Sequence, residues 1–359
     1  MNINYRKLLI LISLFATILI QSCSDDAAVV KPGEEGFFIL NEGGFPNENA
    51  SLSFYDRETN LVTNNVFTAA NGRPLGIQAQ SLTVFEGKAY IIVQGSSKIE
   101  VIDADDYSSI ATITDGIENP RYFIGISATK GYVSDWGADG LTGTIKVIDL
   151  ATNEVTKSIP TGQGANRMLK VNNLVYVTNN AGYGFDNTVV TINSNTDEVT
   201  ETITVGDNPN SILSDADGNL WVSSSGAIAY NEDWSVDEAN STKGAISKIT
   251  SNAEVLRLEM AAVSYGGAGG LSISPDGRTL YYQFEGNIFS MSTSSTTLPT
   301  SAFAANFYYG FSVDPFSGNV IGTVAPNFSS AGSIEVMDSD GTLIDTFTVG
   351  IGPNGCYFK

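Results

Sequence analysis

The sequence predicts an all-β fold, a seven-bladed β-propeller with four-stranded blades. Three observations lead to this prediction. The 359 residues are rich in Gly (36 residues) and Thr, whereas strong helix formers are scarce. A short motif of alternating apolar residues occurs seven times along the chain. The two ends of the chain carry the two halves of one further hairpin.

The repeated motif is an alternating apolar segment that ends in a polar turn. Successive copies are separated by 47, 46, 44, 57, 42 and 46 residues. Because a four-stranded propeller blade takes about 40–50 residues, each copy marks the same strand of one blade. The copies begin at Leu52, Ile99, Ile145, Val189, Ile246, Ile288 and Ile334.

The rest of each unit supplies the other strands. An inner strand and its hairpin partner precede the motif, joined by a short turn such as Glu86-Gly87 or Asn172-Asn173. An outer strand such as 154–159 or 198–205 follows it, and Gly, Pro and Asn then separate the blades.

The chain ends predict how the ring closes. Residues 36–41 have the pattern of a second strand without an inner partner, and residues 350–359 have that of an inner strand. We therefore expect the C-terminal strand to complete the first blade, which leaves no open sheet edge in the ring.

The N-terminus has the pattern of a targeting segment. Arg6 and Lys7 precede an apolar run over residues 8–20, which is too short to span a bilayer and is typical of a signal peptide. The sequence Ile20-Gln21-Ser22-Cys23 resembles a bacterial lipobox. This resemblance implies a signal peptide at 1–22, a lipidated Cys23 followed by a flexible tether over 23–34, and a propeller at 35–359. The alternative is an ordinary cleaved signal with an incidental Cys.

The residues after Cys23 bear on localisation. The acidic pair Asp25-Asp26 resembles the surface-export signal of Bacteroidota lipoproteins. It implies an outer-membrane protein, held by its lipid anchor alone and facing the cell exterior. The alternative is an acidic linker on a periplasm-facing lipoprotein.

Charge and composition exclude several functions. The net charge of −21 argues against nucleic-acid binding. The absence of His excludes His metal ligands and catalytic triads that use His. Removal of residues 1–22 leaves 16 basic and 39 acidic residues, a net charge of −23, and one Cys in the folded part, Cys356. We expect Cys356 to be a buried, inert thiol.

A family resemblance appears in the middle of the chain. The string Tyr-Val-Thr-Asn at 176–179, with the stretches 193–200 and 203–209, resembles the YVTN-type β-propeller repeat. Over most of its length the sequence resembles YVTN-like surface lipoproteins of Bacteroidota. Some of these bind cobalamin beside a TonB-dependent outer-membrane transporter. The resemblance implies a monomeric, non-enzymatic capture protein with cobalamin as its ligand, no required cofactor and that transporter as its partner.

One side of the predicted propeller carries the long loops, at 42–50, 136–143, 181–187, 226–243 and 326–332. Aromatic side chains and amide or guanidinium donors concentrate there, as in sites that hold large amphipathic molecules. The alternative for any one ring is that it packs its own loop down. The predicted ligand-binding residues are Phe45, Arg73, Gln80, Arg121, Tyr122, Trp136, Arg167, Tyr183, Phe185, Trp234, Tyr265, Tyr308, Tyr309 and Phe328.

No motif predicts catalysis or a metal site. Residues 215–219 resemble the start of an EF-hand loop but lack its final glutamate. Paired carboxylates could perform acid–base chemistry, but none of the 39 acidic residues stands out. The alternatives to cobalamin capture are a glycan- or protein-binding adhesion module, a lactonase- or glycosidase-type enzyme, and a purely structural propeller.

Overall fold

The computed structural model describes residues 35–264 and 268–359, which form 27 strands in seven antiparallel sheets. The strands of the first half are β1 (Gly36–Asn41), β2 (Ser51–Asp56), β3 (Leu61–Thr63), β4 (Ala79–Phe85), β5 (Lys88–Val93), β6 (Lys98–Asp103), β7 (Ser109–Ile113), β8 (Pro120–Ser127), β9 (Lys130–Asp135), β10 (Thr144–Asp149), β11 (Glu154–Pro160), β12 (Ala165–Val171), β13 (Leu174–Asn179), β14 (Thr188–Asn193) and β15 (Glu198–Thr204). The strands of the second half are β16 (Pro209–Ser214), β17 (Leu220–Ser224), β18 (Ala245–Thr250), β19 (Ala253–Glu259), β20 (Ala268–Ile273), β21 (Thr279–Phe284), β22 (Asn287–Ser292), β23 (Gly310–Val313), β24 (Val320–Val324), β25 (Ala331–Met337), β26 (Leu343–Ile351) and β27 (Pro353–Phe358).

The sheets are the seven blades of a propeller, as the sequence predicts. The seven repeated motifs are the third strands of the seven blades, β2, β6, β10, β14, β18, β22 and β25. The inner strands β27, β4, β8, β12, β16, β20 and β23 contact one another in a closed cycle around a central channel.

The predicted turn residues explain the hairpins. Glu86 and Gly87 join β4 to β5 with φ values of 50° and 71°. Two consecutive positive φ values are typical of a type I′ turn, whose twist matches that of the flanking strands. Glu285 and Gly286 form the same turn between β21 and β22, with φ values of 51° and 78°.

Packing between blades makes the core. Each of the seven interfaces between neighbouring blades has its own cluster of buried apolar side chains. Leu40, Leu82 and Ile91 meet between the first and second blades, and Trp221 packs near Tyr282 between the fifth and sixth. Each such side chain contributes about 1.5–3 kcal/mol through burial. The alternating apolar residues therefore stabilise the sheets by pairing them face to face.

The first blade is built from both ends of the chain, which confirms the predicted closure. Strand β27 pairs with β1 in antiparallel register, with Ile39 opposite Cys356 and Phe37 opposite Phe358. Cys356 is a buried free thiol, and burial raises its pKa.

Two local features depart from a regular repeat. The sixth blade has three strands, and an isolated bridge between Ile288 and Ala304 takes the place of a fourth. A six-residue helix, α1 (Val66–Asn71), follows the short strand β3 and buries Phe67. The sequence does not predict α1, because its apolar face is only one turn long. None of the helices in residues 35–264 and 268–359 has the length and apolar character needed to span a bilayer.

Deletion of residues 353–359 should unfold the protein, because it removes the inner strand of the first blade and exposes the edge of β1. Thermal denaturation followed by circular dichroism tests this. The matched control removes Lys359 alone, which follows β27 and whose ammonium binds the side chains of Glu35 and Asp105 at the surface. A deletion variant with the melting temperature of the full chain would contradict the blade assignment.

Candidate ligand-binding site at the channel mouth

Long loops gather at one end of the propeller. In antiparallel blades the inter-blade loops and the loops between second and third strands lie at the same end, which we call the loop face. The loops between second and third strands include 42–50, 136–143, 180–187, 225–244 and 325–330, close to the predicted ranges. Every inner strand begins at this face, so its first residues surround that end of the channel, the channel mouth.

Arg121 stands at the start of β8 and is held by two other loop-face residues. Its guanidinium carbon lies 3.9 Å from the ring centroid of Trp136. Its Nη1 donates to the side-chain oxygen of Gln94, while its Nε is buried and has no acceptor among the described residues. Burial lowers the pKa of Arg121, and the nearby Glu42 carboxyl opposes that change. The guanidinium remains charged at neutral pH.

Arg167 occupies a similar position at the start of β12. Its guanidinium carbon lies 4.1 Å from the ring centroid of Tyr122, the residue after Arg121. Gln80 Nε2 donates to the hydroxyl oxygen of the same tyrosine at 3.3 Å. The inner strands of the second, third and fourth blades thus bring an amide, a phenol and two guanidinium groups together.

A carboxyl and a phenol face these groups from the first and seventh blades. The Tyr309 hydroxyl donates to Glu42 Oε2 at 2.7 Å, and its ring packs edge-on against Phe328 with centroids 5.3 Å apart. Burial raises the pKa of Glu42, and the Tyr309 hydrogen bond and the Arg121 charge oppose part of that rise. Burial also raises the pKa of Tyr309.

The channel below the mouth contains a cavity of about 390 Å³. Inner strands of the fourth to seventh blades and of the first blade line it. Its wall includes Arg167, Leu213, Leu271, Phe311, Asn354 and Tyr357. Arg167 therefore belongs both to the mouth and to the cavity. The Oδ1 of Asn354 is buried and has no partner among the described residues, since the amide nitrogen bonds the backbone oxygens of Ala79 and Gln80.

The structure brings eight of the predicted residues to the mouth and its rim: Gln80, Arg121, Tyr122, Trp136, Arg167, Tyr183, Tyr309 and Phe328. Tyr183 packs edge-on against Trp136, with ring centroids 6.0 Å apart, yet 75% of its surface is exposed. Its free side is therefore available to a ligand.

Three other predicted residues lie on the loops but outside these contacts. Phe45 and Phe185 are exposed, and the 82% exposed Trp234 contacts Tyr230 of its own loop. Tyr265 and Cys23 lie outside the described residues.

The structure does not bring Arg73 and Tyr308 into the mouth, because both side chains have partners elsewhere in the protein. The Arg73 guanidinium binds both oxygens of the fully buried Glu100, each at 2.8 Å. Tyr308 is 4% exposed, packs between the sixth and seventh blades and donates to Glu335 Oε2 at 2.8 Å. Each lies in a loop that leads to an inner strand, but its side chain binds a partner within the protein.

Sequence reasoning missed Glu42, Gln94 and Tyr357. Glu42 and Gln94 each come directly after the second strand of a blade, a position that points to the loop face. Tyr357 alternates with the buried Cys356 in β27 and lines the channel. The strand pattern alone could have found all three.

Other carboxylates of the loop face serve as backbone caps. Asp135 accepts from the N–H groups of Glu118, Asn119 and Gly137. Asp186 accepts from the N–H groups of Gln163 and Thr188. Within residues 35–264 and 268–359, no cluster of three or more Cys, Asp or Glu side chains could hold a metal ion.

Comparison with known proteins places the chain in a family and confirms the fold. A family model described as "Domain of unknown function (DUF5074)" matches residues 35–358. A search of curated proteins finds no match.

Three solved structures resemble this one. A quinonprotein alcohol dehydrogenase-like protein from Bacteroides thetaiotaomicron is 17% identical with a TM-score of 0.63, covering 91% of this chain and 79% of its own. A candidate 6-phosphogluconolactonase from Bacteroides uniformis is 12% identical with a TM-score of 0.61, covering 90% and 100%. Kuenenia stuttgartiensis hydrazine synthase is 13% identical with a TM-score of 0.56, covering 80% and 93%. At these identities the likeness shows the fold alone.

Arg73→Ala should lower the free energy of unfolding by about 2 kcal/mol, because a buried carboxylate loses a charged donor and keeps only Lys98 and Thr112. Urea denaturation measures this, with the exposed Arg278→Ala as the control. Burial raises the pKa of Glu100, but the hydrogen bonds from Arg73 and Lys98 outweigh it and the net pKa lies below the ordinary value.

The Arg73–Glu100 ion pair predicts that the free energy of unfolding depends on pH. A lowered carboxyl pKa stabilises the folded state above the ordinary carboxyl pKa, and this contribution is lost as pH falls through the lowered value. The stability difference between wild type and Arg73→Ala should therefore shrink in acid. A difference that grows as pH falls would contradict the structural role of Arg73.

Proposed function

The chain belongs to the family described as a domain of unknown function (DUF5074), and we propose that it captures cobalamin, or a similarly large small molecule, at the channel mouth. The protein holds the ligand without chemical change and passes it to a TonB-dependent outer-membrane transporter. A lipid on Cys23 anchors it to the outer membrane, facing the cell exterior, and it acts as a monomer.

The observation that carries the proposal is the composition of the mouth. Aromatic rings from separate elements, Tyr122, Trp136, Tyr183 and Tyr309, surround two guanidinium groups. Aromatic faces bind planar apolar bodies, and a few convergent donors fix their orientation. A corrin ring edged with carboxamides has this combination of surfaces.

The size of the channel indicates how such a ligand would sit. A cavity of about 390 Å³ lies in the lower part of the range that drug-sized ligands occupy. A corrinoid is larger, so it would rest on the mouth and against the loops, with at most one group in the channel. The chain has no His, so shape and hydrogen bonds would replace an axial imidazole on cobalt.

We propose binding rather than catalysis because the nearby carboxyl groups are committed elsewhere. Asp135 and Asp186 accept backbone N–H groups, and Glu42 accepts the Tyr309 hydroxyl. The lactonase alternative would need a free acid or base at the mouth. Recovery of chemically unchanged ligand after prolonged incubation supports binding, and turnover that Glu42→Gln abolishes would favour an enzyme.

Tyr183→Ala should weaken cyanocobalamin binding at least tenfold, a loss of about 1.4 kcal/mol, because it removes an exposed aromatic surface beside Trp136. Isothermal titration calorimetry of the mature protein measures the affinity. Phe316→Ala is the matched control, since Phe316 is a partly exposed ring on an inner hairpin turn at the opposite end.

The calorimetry also separates the alternatives. No binding of cyanocobalamin at micromolar concentration would eliminate cobalamin as the ligand. Binding on a glycan array in its absence would favour an adhesion module. Equal weakening by Tyr183→Ala and Phe316→Ala would place the ligand away from the loop face.

A further inference from the structure

Arg121 and Arg167 at the mouth form no ion pair, whereas three of the other four described arginines do and the fourth, Arg278, is exposed. Arg57, Arg73 and Arg257 each form an ion pair with a carboxylate, at 2.6–2.8 Å. Arg121 and Arg167 are half-buried, yet within residues 35–264 and 268–359 neither lies within 4.0 Å of a carboxylate oxygen. This is unexpected in a chain with 39 acidic and 18 basic residues, where carboxylates are abundant.

The ring contacts hold both guanidinium groups without using their donors. Arg121 packs on the ring of Trp136 and Arg167 packs on the ring of Tyr122, and these ring contacts occupy none of the N–H donors. The Nη1 of Arg121 donates a hydrogen bond to Gln94, and its buried Nε has no acceptor in the described chain. The Arg167 side chain donates to no described residue.

The two guanidinium groups belong to the same part of the mouth. Arg121 and Arg167 stand near the starts of the contacting inner strands β8 and β12, and Arg167 packs on the ring of Tyr122, the residue after Arg121. The nearby Glu42 carboxyl accepts the Tyr309 hydroxyl and forms no ion pair with either arginine. The mouth therefore brings two positive charges together in an anionic protein.

We propose that Arg121 and Arg167 together bind an oxyanion of the ligand, a carboxylate or a phosphate, beside its planar apolar body. Arginine forks match the geometry of both groups, and a partly desolvated site strengthens the attraction. The inference rests on the proposed ligand capture and narrows the ligand to compounds that carry an oxyanion group. Because Arg167 also lines the channel cavity, the oxyanion lies where the mouth opens into the channel.

A matched pair of small probes tests the oxyanion site. 2-Naphthoate and its neutral amide, 2-naphthamide, share the planar body and differ in the charged group. Calorimetry should give at least tenfold tighter binding of 2-naphthoate to the mature protein, even though the net charge of the protein repels anions. Equal affinities, or no binding of 2-naphthoate at millimolar concentration, would overturn the proposal.

Single substitutions test which residues cause the preference for 2-naphthoate over 2-naphthamide. Arg121→Gln and Arg167→Gln should each reduce the preference for 2-naphthoate at least tenfold, whereas Arg278→Gln makes the same charge change on an exposed turn at the opposite end and should leave it unchanged. Thermal denaturation checks that each variant folds. If Arg121→Gln unfolds because it uncovers Trp136, Arg167→Gln alone decides. An unchanged preference in a folded Arg167→Gln variant would overturn the proposal.

The oxyanion site and the proposed capture of cobalamin can fail independently of each other. Loss of cyanocobalamin binding with an intact preference for 2-naphthoate would remove cobalamin and leave the oxyanion site standing. Cyanocobalamin binding without any naphthoate preference would leave the capture function standing and overturn the oxyanion site.

Discussion

The pairing of β27 with β1 is the interaction on which the rest of the molecule depends. It joins the last strand of the chain to the first and closes the cycle of inner strands. Without it, β1 would present an open edge, and the apolar clusters on both sides of the first blade would lose one wall. The same closure fixes the order of the inner strands around the channel, and with it the set of side chains that can meet at the mouth.

The closed ring of similar blades surrounds a site that is asymmetric. Five of the seven inner strands have a polar residue in their second position, Gln80, Arg121, Asn166, Asn210 and Asn354, whereas β20 and β23 have a glycine and a phenylalanine there. A repeat would place identical groups there, but the chain varies them and adds long loops to only some blades. Both arginines of the mouth and the rings of Tyr122, Trp136 and Tyr183 belong to the third and fourth blades, and the Glu42–Tyr309 pair faces them from the first and seventh. The mouth is therefore polarised across the channel.

The sequence predicted the blades well because their pattern is local. Alternation of period two, Glu86-Gly87 and Asn172-Asn173 turns, and a near-constant spacing fix each strand, and all seven motifs are third strands. The direction in which a loop side chain points is not set by its neighbours in the sequence. Arg73 and Tyr308 lie in loops that lead to inner strands, yet their side chains bind Glu100 and Glu335, which are distant in sequence. The missing carboxylate partners of Arg121 and Arg167 could be found only in three dimensions.

Hydrogen–deuterium exchange of the mature protein with and without cyanocobalamin tests the central claim most directly. If the channel mouth captures the ligand, binding should slow exchange in the peptides that contain Arg121, Trp136, Arg167, Tyr183 and Tyr309. The inner hairpin turns at the opposite end, such as Pro275 to Gly277, should exchange as before. Slowing confined to that opposite end, or no change at the mouth at saturating ligand, would contradict the account.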